Sequence, residues 1–288
     1  MRWHRLAAGL LVLIAVAAVA GLRAGTAGPQ LQGLAAAGSG RAAEATTVDV
    51  ELVLAVDVSY SMDPDEQALQ REGYAAALTS PEFLEALRTG IHGKIAITYF
   101  EWAGVSDQKV LMPWRVIDGA ASAAAVADEI SQAPYRRAYR TSISGALIFA
   151  PLLFDQNRHR GIRRVIDVSG DGANNQGPPV VPTRDEVLAK GITINGLPIM
   201  LKRPQPGSVD IENLDVYYED CVIGGPGAFV VPIRERDKFK EATRTKLVLE
   251  VADRSAEPRI VPAANEVPRV SCTIGERLWQ QRWGGSDQ

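Results

Sequence analysis

Residues 48–62 read VDVELVLAVDVSYSM, and the fold turns on them. The run of Val and Leu is too continuous for a half-exposed strand and suits a parallel strand buried on both faces. It ends in Asp57-Val58-Ser59-Tyr60-Ser61, with oxygen-bearing side chains at alternate positions where the strand leaves its sheet. Asp63-Pro64-Asp65-Glu66 then opens a helix, with Asp63 as N-cap, Pro64 in the first turn and Glu66 three residues on. A buried strand, a polar loop and a helix in that order form the opening unit of an α/β sheet.

The pattern continues outward from this unit. Leu69, Gly73, Ala76 and Ala77 mark the inner face of the first helix, and Ser80-Pro81 caps a second, shorter one. Residues 94–102 and 109–117 read as a hairpin turning through Gly104 and Asp107, and residues 120–130 as an Ala-rich helix. A further helix starts near Thr141, with Ile143, Ala146, Leu147 and Ala150 on one face; Pro151, lacking an N–H, should kink or end it. Strands are expected at 164–169, 192–199 and 229–233, and helices at 184–190 and 238–252; residues 216–222 fit either state. Together these predict a doubly wound, mostly parallel sheet with one antiparallel edge strand and helices on both faces, of Rossmann type.

The chain has 288 residues and a net charge of −3, and its first 27 residues carry only basic charge. An acidic chain without a basic stripe argues against nucleic-acid binding. Arg2 and Arg5 precede an uncharged Ala-rich run over residues 6–22, and Gly25-Thr26-Ala27 supplies small residues for cleavage. Residues 1–27 are therefore expected to be a signal peptide and the protein periplasmic or secreted. The membrane enters only if that segment stays as an uncleaved anchor. The expected organisation continues with a flexible linker at 28–46, an α/β domain at 47–252 and a C-terminal tail at 253–288 packed on or tethered to it. In an oxidising compartment Cys221 and Cys272 can pair, closing a long loop that pins the Pro-rich tail.

In an open α/β sheet, ligands bind beyond the carboxyl ends of the strands. Asp57, Ser59 and Ser61 stand at one such end. Asp171, in Ser169-Gly170-Asp171-Gly172, stands beyond another, and Thr141 opens a helix between them. If the two strands are neighbours, two carboxylates and three hydroxyls face one crevice. That is an all-oxygen donor set suited to Mg²⁺, with Mn²⁺ or Ca²⁺ as alternatives, and less to zinc. The plain alternative for each residue alone is structural: a polar turn for the serines, an N-cap for Thr141, a turn beside glycines for Asp171. No glycine fingerprint or P-loop lysine is present, and Gly224-Gly225-Pro226-Gly227 reads as a tight connection. Glu101 and Trp102 fit an edge-strand or turn role. Arg136, Arg137 and Arg140 fit a solvated loop, although the cluster could attract an acidic partner, and Asn174 and Asn175 could orient the Asp171 loop or simply occupy left-handed turns.

The set Asp57-x-Ser59-x-Ser61, Thr141 and Asp171 resembles the metal-ion-dependent adhesion site of the von Willebrand factor type A (vWA) fold. The stretches LVLAVDVSYSM, RTSISGAL, RRVIDVSGDGANNQG, GITINGLPI and YYEDCVIGGPGAF are similar to an uncharacterised secreted bacterial branch of that fold, a family of unknown function. The resemblance spans about residues 48–252 and implies that Ser59, Ser61 and Thr141 touch the cation while Asp57 and Asp171 act directly or through water. It implies binding, not catalysis, with a partner protein offering a carboxylate to the metal. The competing readings are an envelope scaffold whose metal is purely structural, and a metal-dependent hydrolase, for which an acid/base pair is missing.

Overall fold

The computed structural model describes residues 45–204, 209–252 and 268–284. The expected signal peptide and nearly all of the expected linker lie outside them. The strands are β1 (Thr46–Asp57), β2 (Ile95–Trp102), β3 (Gln108–Ile117), β4 (His159–Gly170) and β5 (Ile192–Pro198). The helices are α1 (Pro64–Leu78), α2 (Pro81–Arg88), α3 (Ala120–Gln132), α4 (Ile143–Asp155), α5 (Val180–Leu188), α6 (Leu214–Tyr217), α7 (Phe239–Val251) and α8 (Ile274–Trp283). The sheet order is β3-β2-β1-β4-β5. Only β3 is antiparallel to its neighbour, so the expected mixed sheet with one antiparallel edge is present.

β1 lies at the centre, and its period-two alternation serves two cores. Val50, Leu52, Leu54 and Val56 pack with Tyr74, Phe83, Val126, Phe239 and Leu247 from α1, α2, α3 and α7. Val53 and Ala55 face the other way, toward Ile143, Leu147, Phe154, Val180 and Tyr217 from α4, α5 and α6. Burial on both faces explains why the strand reads as an apolar run.

Several elements differ from the sequence expectation. α4 runs four residues past Pro151, because Pro151, Leu153 and Phe154 are buried in the second core, which outweighs one missing backbone hydrogen bond. The buried face of α1 is Glu66, Gln67, Gln70, Arg71, Gly73, Tyr74, Ala77 and Leu78, while Ala76 is exposed. The polar members are admitted because they find partners: Gln70 Nε2 donates to Ser169 Oγ at 2.9 Å, and Arg71 Nη2 to Glu101 Oε1 at 2.7 Å. Residues 216–222 are helical, α6 continuing into a π-helical turn at Tyr218–Val222. Residues 229–233 do not form a full strand; they meet the β5 segment through isolated parallel bridges, Gly196 to Val230 and Ile199 to Ile233, and through Phe229 N, which donates to Asn195 Oδ1 at 3.0 Å.

Glu101 is neither an edge nor a turn residue. β2 is flanked on both sides, and Glu101 is fully buried between Arg71 and Arg136 (2.7 and 2.9 Å). Arg136 also pairs with Asp107, so it is no solvated loop cation. A second buried charge cluster lies beneath α7. Lys246 Nζ stands 2.9 Å from Asp167 Oδ1 and 2.5 Å from Glu250 Oε1, all three side chains with no exposed surface. Burial raises the carboxyl pKa of both Asp167 and Glu250, and Lys246 only partly opposes it. Lys246→Met would leave two buried acids without their cation and should cost roughly 3–5 kcal/mol in urea unfolding; a loss below about 1 kcal/mol would show that the pair is not needed.

Cys221 and Cys272 form a disulfide across a sequence separation of 51. It joins the π-helical turn to the segment leading into α8, and Arg269 reinforces the junction by pairing with Asp220 and Glu219 at 2.7 and 2.6 Å. Closing a loop of that length is worth about 4 kcal/mol in the chain-entropy view. Thiol-blocking reagent should therefore label no cysteine in the native protein and two after reduction, with a matching fall in stability. Labelling before reduction would refute the bond.

Candidate functional site

The chain visits β1, β2 and β3 on one side of the sheet and then returns to β4 on the other. The crevice between β1 and β4 is thus the topological switch point, open at the carboxyl ends of both strands. Val56 stands opposite Ser169, which brings Asp57 level with Gly170. A Cβ on Gly170 would lie 2.8 Å from Asp57 Oδ2 and 3.1 Å from Tyr218 Oη, so any side chain there would push into the carboxylate. Glycine lets the two strand ends close on one another.

From Asp57 outward, the polar atoms form a chain. Asp57 Oδ1 accepts from Ser59 N at 2.7 Å, an Asx turn that lifts the loop off the strand. Ser59 Oγ and Ser61 Oγ are 2.7 Å apart, and Ser61 Oγ donates to Asp171 Oδ1 at 2.6 Å. Thr141 lines the same cleft as Ser59 and Ser61, a space of about 140 Å³ also bordered by Gly172. Asp57 sits behind that cleft with no exposed surface. Thr141 is not the N-cap of α4; Ser142 is, accepting from Gly145 N at 3.0 Å. The Thr141 backbone is instead clamped by Asn175, whose Oδ1 accepts from Thr141 N at 3.0 Å and whose N donates to Thr141 O at 2.8 Å. Asn174 is fully buried and ties the Asp171 loop to Ser144 of α4 and Glu276 of α8.

Electrostatically the cluster is short of positive charge. Burial, then the charge of Asp171, raises the Asp57 carboxyl well above its ordinary range. Burial likewise pushes Asp171 up to about 6, although Lys202 opposes it. Asp57 Oδ2 is buried without a hydrogen-bond partner, an orphaned acceptor of the kind a cation or a proton satisfies. Three neutral hydroxyls and two carboxylates beside such an atom fit a hard divalent cation. Among the described residues no three His, Cys, Asp or Glu side chains cluster as a metal cage, so at this site the hydroxyls would have to supply the remaining donors.

One residue here, Lys202, escaped sequence reasoning, as did the second contact of Glu66. Lys202, just beyond β5, donates to the Ser61 carbonyl and to Glu66, and stands 3.2 Å from Asp171 Oδ2. Glu66 does complete the expected capping box, accepting from Asp63 N at 2.9 Å, but the same oxygen also takes Lys202. The one available signal was position: a lysine following the carboxyl end of a predicted strand.

A family model described as "Protein of unknown function (DUF1194)" matches residues 47–255. The chain belongs to this family. No curated protein sequence matches it. In fold it is similar to proximal thread matrix protein 1 from the mussel byssus, at 14% identity and a TM-score of 0.53, over 73% of this chain and 49% of that one. It is also similar to the pilus adhesin SpaC from Lactobacillus rhamnosus GG, at 11% identity and a TM-score of 0.52, over 72% and 31% of the two chains. A von Willebrand factor type A structure from Catenulispora acidiphila aligns at 16% identity and a TM-score of 0.48, over 71% and 43%. The chain spans about half the length of the byssus protein and less of the other two. The DUF1194 domain thus shares the α/β fold of the byssus protein and the pilus adhesin.

The raised carboxyls give a pH signature in chelator. A group whose pKa rises on folding favours the fold while protonated. The Asp171 contribution is therefore intact below about pH 4 and lost as pH climbs through about 6, on the order of 2–3 kcal/mol. The fall in Tm between about pH 4.5 and 7.5 should be several degrees smaller in Asp171→Asn than in wild type. Identical falls would contradict the assignment.

Proposed function

We propose that this domain binds a divalent cation through Asp57, Ser59, Ser61, Thr141 and Asp171 and, through that cation, a carboxylate of a partner protein. The observation that carries this reading is the orphaned Asp57 Oδ2, buried beside Asp171 and a line of hydroxyls at the sheet's switch point. The two aspartates offset the charge of the ion, and the hydroxyls fill positions without neutralising it further. The ion would supply an electrophilic site for an incoming carboxylate. Mg²⁺ is the expected occupant, with Mn²⁺ or Ca²⁺ able to use the same oxygens.

Binding, not turnover, suits the residues present. A serine nucleophile needs a base, and His92 and His159 lie at the other end of the sheet: His92 N donates to Asp49 near the start of β1, and His159 begins β4. Lys202 is no substitute, because Asp171 and Glu66 hold its ammonium above its ordinary pKa against the opposing effect of burial. We further propose export, as the N-terminal sequence implies. Among the described residues no helix is long and apolar enough to cross a membrane.

Calorimetric titration of Mg²⁺ and Mn²⁺ tests the site. Asp57→Ala and Asp171→Ala should each weaken binding by roughly a hundredfold, and Thr141→Ala by roughly tenfold. All three should remain folded, because apolar burial on both faces of β1 supplies the core. Equal metal affinity in wild type and Asp57→Ala would overturn the reading.

A further inference from the structure

Arg140 precedes Thr141 and lines the same cleft as Ser59 and Ser61. Among the described residues it is the one non-glycine residue with a positive φ, at 75°. That region disfavours a branched or long side chain, and such a backbone persists only where surrounding contacts enforce it. Here two contacts do. The clamp from Asn175 fixes the next residue, and Gly104 approaches closely enough that a Cβ on it would lie 3.1 Å from Tyr139 O.

The result is an aimed guanidinium. Arg140 Cζ lies 3.6 Å from the ring centroid of Trp279, which α8 delivers to the rim of the cleft. Stacking occupies the flat face of the group and leaves its N–H edge free. Arg136 and Arg137 from the same loop donate to Glu101, Asp107 and the Tyr60 carbonyl, yet Arg140 donates no hydrogen bond among the described residues. A guanidinium held against an aromatic ring, with no acceptor among the described residues, keeps hydrogen-bond donors available to an anion.

Charge balance says which anion it would take. The two charges of a bound divalent ion are offset by Asp57 and Asp171, and that of Lys202 by Glu66. Among the described residues lining the cleft, Arg140 is the one cation and Asp210 the one acid, so an entering carboxylate meets its counter-charge in Arg140 and a like charge in Asp210. We propose that Arg140, pinned by Trp279, is the second half of the ligand site: it receives, edge-on and by two N–H groups, the same carboxylate that the metal holds. This rests on the metal-binding reading above. It also makes α8, and the disulfide that anchors its approach, part of the ligand site.

The test uses full-length protein loaded with Mn²⁺ and reads carboxylate binding as the loss of metal-bound water in proton relaxation. Acetate is the first probe. N-acetyl-Gly-Asp-Gly-amide and N-acetyl-triglycine with a free terminus separate a side-chain from a chain-terminal carboxylate. Arg140→Met should weaken acetate about tenfold while leaving Mn²⁺ affinity within about twofold. Trp279→Leu should weaken acetate by a smaller factor, through an unpinned guanidinium. Arg140→Gly, which relieves the positive φ, should lose acetate as Met does and unfold at no lower temperature than wild type. Either peptide binding more tightly than acetate, and losing that affinity in Arg140→Met, supports the receptor and identifies its source. Unchanged acetate affinity in Arg140→Met with Mn²⁺ still bound overturns the receptor alone, as does a loss of stability in Arg140→Gly that parallels its loss of acetate. Wild type that takes up no Mn²⁺ overturns the metal reading, and the receptor with it.

Discussion

The structure depends on the parallel pairing of β1 with β4. That pairing runs nearly the full length of both strands, from Thr46 opposite His159 to Val56 opposite Ser169. Its register places Asp57 against Gly170, which decides whether the loops beyond can meet. A shift of one residue would turn Asp57 onto the opposite face and bury Val58 or Val56 in its place. The two apolar cores on either side of β1 therefore also hold the register that defines the polar cluster.

Beyond the strand ends, placement passes from apolar packing to buried charge. Arg71, Glu101 and Arg136 tie α1 and β2 to the segment that leads to Thr141, with Arg71 also donating to the carbonyls of Ala133 and Pro134. Lys246, Asp167 and Glu250 brace β4 from beneath. Such groups carry a desolvation cost and contribute little net stability, but each needs its partner in one geometry. They convert the position of α1 and α7 into the position of the loops. Asn174 and Asn175 complete the arrangement by using both side-chain and backbone groups, which leaves the Asp171 loop little freedom.

This division explains what was legible in the sequence. The five strands of the sheet, the hairpin and the capping box at Asp63 could be read because local pattern and tertiary role agree there, which fails at residues 229–233. Asp57, Ser59, Ser61, Thr141 and Asp171 could be found because strand ends in an open sheet are where ligands bind, and each stands beside a recognisable element. The length of α4 beyond Pro151 and the polar inner face of α1 could not, since tertiary burial and distant partners decide them. Glu101 looked like a strand-end acid because both of its arginines lie far away in sequence. Lys202 and Trp279 come from after β5 and from the tail, and no local spacing points at the site from there.

The direction of β1 has a consequence for how the molecule presents itself. The chain enters the domain at Thr46 and reaches the cleft at Asp57, roughly 35–40 Å away along an extended strand. Asp49, His92 and His159 mark the entry pole; Ser61, Thr141 and Arg140 mark the other. Anything joined ahead of Thr46 is therefore attached at the pole opposite the cleft. A partner can therefore engage the cleft without approaching the residues where β1 begins.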